Sequence, residues 1–141
     1  MFKVVAIKEG AMLPTKAYNG DAGHDVYNNG NEEYIEPGCR VLINLGFALE
    51  LERGCMALIQ EKSGMALKQG ILTIGNVIDS NYRGEVHAIL VNLSDKLITI
   101  KPKQKVAQML ILPCYTSMEY ELVNKLSESD RGDGGFGSTG V

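Results

Sequence analysis

At 141 residues, 45% of them hydrophobic and 22% charged, the chain suits one soluble globular domain and is too short for a second full core. Its net charge of −3 and pI near 5.4 exclude sequence-independent binding to DNA or RNA, which needs a basic face. No apolar run approaches the ~20 residues that span a bilayer, so neither nucleic acid nor membrane is an expected partner.

The dominant period along the chain is two, in short runs. Residues 3–7 form the first predicted strand. They belong to MFKVVAIKEG, whose apolar stretch is too short for a signal peptide, so the expected location is cytoplasmic or host-cell intracellular, not secreted. The segment Asp21-Ala22-Gly23-His24-Asp25 reads as a loop with two carboxylates, suited to a water-mediated Mg²⁺ contact. Further strands are predicted at residues 40–43, 47–51 and 56–60, separated by turn signals at Asn28-Asn29-Gly30, Pro37-Gly38 and Arg53-Gly54. One short helix follows in SGMALKQG, with Ser63 as its N-cap and Gly70 as its stop. Lys62 and the Ser63 and Gly64 amides at its start form an anion site by geometry, although plain helix capping also accounts for them.

After a strand at residues 71–74, residues 75–85 read as a β-hairpin with Asp79 at a strand end. A carboxylate placed there can accept a proton from water or orient it for attack, though Asp also commonly starts a turn. Strands at residues 85–93, 97–100 and 106–112 complete the series, and Gln108 on the last could donate to a phosphate. Many short strands with regular turns indicate an all-β sandwich, jelly roll or barrel. Cys39, Cys55 and Cys114 form no Cys-x-x-Cys pair and read as buried, reduced thiols. His24 and His87 are the only histidines, too few for a structural zinc site, and His24 reads as a surface residue.

The chain ends in LSESDRGDGGFGSTGV, polar and glycine-rich. Gly135, Gly137 and Gly140 match G-x-G-x-x-G, but no helix can follow to hold a pyrophosphate. As a lid the segment makes more physical sense. Its glycines let amides approach anionic oxygens, and Arg131, Ser138 and Thr139 supply donors. Phe136 offers a face for a base to stack on. A solvated tail without function is the other reading of the same composition.

Five stretches, DAGHDVYN at 21–28, EKSGMA at 61–66, GNVIDSNYRGEV at 75–86, KVAQML at 105–110 and RGDGGFGSTG at 131–140, occur in an order that resembles the homotrimeric all-β dUTPase family. The resemblance implies a distorted jelly-roll or β-barrel domain at residues 1–125, one short helix, and a flexible C-terminal lid at 126–141. It implies Mg²⁺-assisted hydrolysis of dUTP to dUMP and pyrophosphate, keeping uracil out of DNA and supplying dUMP for thymidylate synthesis. By this resemblance Asp79 orients the attacking water, and Tyr82 packs under the deoxyribose. Backbone groups around Asn76, Val77, Ile78 and His87 read uracil. Lys62, Ser63, Gly64 and Gln108 bind phosphate, and Asp25 holds a Mg²⁺-bound water. Phe136 stacks on uracil, while Arg131, Gly137, Ser138 and Thr139 clamp the γ-phosphate over a site shared between subunits.

The chain departs from the family at Lys62 and Lys105, where Arg is usual, at Asn76, often Gly, and at His24, usually aromatic or apolar. An ammonium keeps the charge but loses the planar fork, so contacts at both lysines are expected to be less directional. A nucleotide-gated regulatory module and a dCTP deaminase, which shares the fold, are the competing readings. The intact Tyr82 and tail favour the diphosphatase.

Overall fold

A computed structural model describes residues 1–136 and Ser138. The strands are β1 Lys3–Ala6, β2 His24–Tyr27, β3 Glu33–Ile35, β4 Arg40–Asn44, β5 Phe47–Glu50, β6 Cys55–Gln60, β7 Ile71–Ile74, β8 Val77–Asp79, β9 His87–Asn92, β10 Ile98–Ile100 and β11 Lys105–Pro113. One helix, α1 Ser63–Gln69, lies between β6 and β7. Every named pairing is antiparallel. The sheets run β1-β5, β3-β10, β2-β11-β6-β8 and β4-β9-β7, a jelly-roll-like arrangement.

Period-two patterning decides which face goes inward. On β9, Ala88, Leu90 and Asn92 are buried, while His87, Ile89 and Val91 face the other way. Ala88 and Leu90 belong to one core cluster with Ile43, Leu45, Phe47, Ile59 and Met109, each no more than 1% exposed. Burying side chains of this size stabilises the fold by roughly 1.5–3 kcal/mol apiece before entropy is counted. The outward face of β4-β9-β7 carries an apolar patch between Arg40 at one end and Asn44 and His87 at the other. Leu42 and Ile74 flank Ile89 in register, and Leu72 flanks Val91. An antiparallel sheet with one solvated face normally carries polar residues there.

Buried amides close the ends. Asn92 is fully buried; its Nδ2 donates to the Ile35 and Lys96 carbonyls at 2.8 and 2.7 Å. Its Oδ1 accepts from the Ser94 amide and hydroxyl at 2.9 and 2.7 Å. The side chain thus ties β9 to β3 and to the turn that leads into β10.

Several expectations need correction. The stretch from Asp21 to Asp25 is not all loop, because β2 starts at His24 and pairs with β11. His24 is half-buried, edge-on to Phe2 at 5.5 Å, and so is not a surface residue. The strand β3 falls outside the predicted series because its three residues sit in a charged run and are drawn into a ladder only by β10. Residues 75–85 are not one hairpin: β8 pairs with β6, whereas β9 pairs with β4 and β7. Lys62, not Ser63, is the N-cap; it has extended backbone angles and makes no side-chain capping bond. Gly70 stops the helix in the left-handed conformation, as expected. Cys39 is exposed and Cys55 and Cys114 are half-buried, so the thiols are free but not buried. The last strand ends at Pro113, and residues 115–133 are exposed throughout.

Asn92→Ala leaves the buried Ile35 carbonyl, the Lys96 carbonyl and the Ser94 amide and hydroxyl without their partner. It should lower stability by about 1–3 kcal/mol in urea unfolding, whereas Ser127→Gly, at an exposed position with no side-chain hydrogen bond, should cost far less.

Candidate active site

The expected site residues fall into three groups. Val77, Ile78, Asp79, Tyr82 and His87 line one cleft of about 180 Å³ together with Glu85. Asp79 closes β8 and is exposed. The Tyr82 hydroxyl donates to the Glu85 carbonyl at 3.1 Å, folding the ring back over its own loop. Gly84 makes that fold possible, since a Cβ there would come within 2.6 Å of the ring's Cζ. Glu85 accepts the Gly46 amide at 2.9 Å and stands 3.9 Å from His87 Nε2, so it braces this loop against β5's entry. Asn76 stands next to the cleft, and its carbonyl accepts the Ile59 amide at 2.9 Å.

A second cavity of about 380 Å³ is lined by Asp25, Lys62 and Gln108, with Tyr18, Asp21 and Gly23 among its other walls. It exists because β11 lies between β2 and β6, which sets Gln108 opposite both Asp25 and Gln60. A register shift between Lys105 and Ala107 turns Lys105 toward β2 while Val106 and Ala107 both enter the core. The Gln108 Nε2 donates to the Glu61 carbonyl at 3.0 Å, and Gly23 leaves room for this amide, whose Cδ would lie 3.2 Å from an added Cβ. Glu61 in turn accepts the buried Thr73 hydroxyl at 3.1 Å. Ser63 and Gly64 are exposed in the first turn of α1, where amides have no intrahelical acceptor.

Asp25 is 7% exposed, and its two oxygens are divided between two ammonium groups. Lys62 Nζ bonds Oδ1, and Lys105 Nζ lies 2.7 Å from Oδ2. Burial opposes ionisation of this carboxyl, but its bonds to Lys105 and Lys62 and their charges outweigh burial and hold it below the ordinary value of 3.8. The same bond to Asp25 raises the Lys105 ammonium above its usual value. Glu61, Gly23, Gly84, Glu85 and the partnership of Lys105 with Asp25 were not among the expected site features. All of them lie inside the five quoted motifs, and that position is the signal that could have found them.

The third group, Arg131, Phe136 and Ser138, is on the tail, which makes short-range turns. Arg131 Nε donates to the Gly134 carbonyl at 2.8 Å, and the Ser138 amide donates to Gly135 at 3.0 Å. Gly137 and Thr139 lie outside the described residues. The first two groups do not meet within one chain. Asp79 pairs with Met56 near the start of β6, whereas Lys62 follows its other end, about 20 Å of strand away.

The described residues of a single chain do not gather into a resident metal site. Among the described residues no group of three or more His, Cys, Asp or Glu could hold a metal ion, and Asp25 is already neutralised by two cations. Likewise, no helix among the described residues is long and apolar enough to cross a membrane. Because the Asp25 carboxyl is lower in the fold than in the unfolded chain, its stabilising effect is complete above 3.8 and is lost as pH falls through the lower folded value. Thermal melts should therefore show Asp25→Asn less stable than the parent by a constant margin above about pH 5, with the gap closing in stronger acid.

The comparisons follow the same pattern of fold and motifs. A family model described as dUTPase matches residues 9–140. A deoxyuridine 5'-triphosphate nucleotidohydrolase of Hydrogenobaculum is 41% identical, covering 98% of this chain and 96% of that protein. The Clostridium tetani protein of the same name is also 41% identical, covering 98% and 95%. Among solved structures, a mutant dUTPase of Staphylococcus bacteriophage 80alpha with dUpNHpp superposes with a TM-score of 0.91 at 23% identity, covering 100% of this chain and 99% of that one. A mutant dUTPase from phage phi11 of S. aureus, whose structure reveals the coordination of a structural Mg(II) ion, gives 0.82 at 20% identity, covering 91% and 99%. The structural likeness establishes the fold, and the sequence relatives and the family match carry the further step: this chain belongs to the dUTPase family.

Proposed function

We propose that the protein is a dUTP diphosphatase, hydrolysing dUTP to dUMP and pyrophosphate. The observation that carries this reading is the family match, which spans residues 9–140 and takes in all five motifs. Asp79, exposed at the rim of the smaller cleft, is the group that receives a proton from water or orients it. The water oxygen forms a bond to the α-phosphorus in line with the bond to the bridging oxygen, which breaks as pyrophosphate leaves. Tyr82 packs against the deoxyribose and leaves no space for a 2′-hydroxyl. The backbone around Asn76, Val77, Ile78 and His87 reads the polar edge of uracil.

The phosphates are assigned to Lys62, the Ser63 and Gly64 amides, and Gln108, which keeps a second amide hydrogen beyond the one given to Glu61. Arg131, Phe136, Gly137, Ser138 and Thr139 close over the nucleotide, with Phe136 stacking on the base. Magnesium enters as part of the substrate: chelated by the triphosphate, it withdraws charge from the phosphates.

The separation of Asp79 from Lys62 within one chain supports a site shared between copies, and we assign a homotrimer. Two further observations favour self-association. The outer face of β4-β9-β7 presents Leu42, Ile74 and Ile89 where a solvated sheet would be polar. Beyond β11, Tyr115, Met118, Tyr120, Leu122 and Leu126 are all exposed.

Pyrophosphate release should be seen with dUTP and not with dTTP, dCTP or UTP, and a chain truncated before Arg131 should lose it. Ammonia release from dCTP would instead identify a deaminase. Asp79→Asn should lower kcat by about 10²–10⁴-fold while dUpNHpp still binds, and near-native turnover would remove Asp79 from the mechanism.

A further inference from the structure

We propose that Asp25 is a positioning residue for the triphosphate, holding the ammonium groups of Lys62 and Lys105 beside the larger cavity instead of holding a metal-bound water. The inference rests on the diphosphatase reading of that cavity. It starts from connectivity: Asp25 belongs to β2, Lys62 follows β6, and Lys105 opens β11, so one carboxylate joins three adjacent strands at the cavity wall. Each ammonium takes one oxygen. Two point-like cations can share a carboxylate this way, each keeping donor hydrogens free for a second acceptor.

The electrostatics point in the same direction. Within hydrogen-bond reach of Asp25 there are two positive charges and one negative, an environment that favours an incoming phosphate oxygen over a hydrated cation. Asp21, the other carboxylate on this cavity, accepts the Tyr18 amide at 2.8 Å. Side-chain exposure of 31% for Lys62 and 47% for Lys105 leaves both ammonium groups accessible from the solvent side, while the carboxylate between them is 10% exposed. A long lysine stem loses considerable rotamer freedom when fixed. Asp25 imposes that loss in the free protein, so binding of the triphosphate does not have to.

The test uses the full-length protein and the non-hydrolysable analogue dUpNHpp, with binding measured by calorimetry in Mg²⁺ and separately in EDTA. Asp25→Asn should weaken binding roughly tenfold by the same factor in both conditions. In turnover at saturating Mg²⁺, KM for dUTP should rise by a similar factor with kcat nearly unchanged, and the Mg²⁺ concentration for half-maximal rate should not move. Lys105→Met, at an exposed position, should give the same metal-independent loss and serves as the second variant if Asp25→Asn does not fold. A loss confined to Mg²⁺, or a shifted Mg²⁺ requirement, would overturn the proposal in favour of a metal-bound water. Unchanged binding and KM in both variants would overturn it as well. Failure of the parent protein to bind dUpNHpp or to turn over dUTP would count against the diphosphatase reading instead.

Discussion

The backbone ladder of β11 is the constraint on which the rest of the site depends. Its nine residues pair with β2 on one side and β6 on the other, so three motifs far apart in the chain meet at fixed register. Hydrogen-bonded register allows no gradual adjustment: a slip by one residue would exchange Gln108 with the core residue Met109 and turn every side chain to the opposite face. The shift between Lys105 and Ala107 is the one irregularity in that pairing, and it frees Lys105 to reach Asp25.

From this ladder the chemistry divides along β6. At one end, Met56 pairs with Asp79, and the loop beyond carries Tyr82 over Gly84. At the other end, Lys62 leads into α1, with the Glu61 carbonyl holding Gln108. Asp79, the hydrolytic carboxylate of the proposed mechanism, is thereby kept apart from Lys62 within its own chain, so the two do not neutralise each other. Asp25 takes that counter-charge instead. Assembly then becomes part of catalysis in the proposed mechanism, because the two halves of a site come together only between copies.

Much of the architecture is legible in the residues, but unevenly. Strands with clear alternation, such as β6, β7 and β9, and the stop of α1 at Gly70, follow from local pattern. The strand β2 could not be read this way. His24-Asp25-Val26-Tyr27 has a carboxylate at a buried position, and that burial is tolerated only because Lys62 at the head of α1 and Lys105 at the start of β11 surround it. The apparent hairpin at residues 75–85 failed for a related reason. Its two arms have suitable local chemistry, but each finds a better partner in a different sheet.

Residue type and order alone point to the family, the all-β class and the motif residues, because turn chemistry, period-two patterning and motif spacing are local properties of the chain. Which groups touch is a different matter. The division of Asp25 between Lys62 and Lys105, the room that Gly23 leaves for Gln108, and the distance between Asp79 and Lys62 depend on long-range strand pairing. Pairing of that kind is settled by the total burial and hydrogen bonding of the whole sheet, so no short stretch of residues contains it.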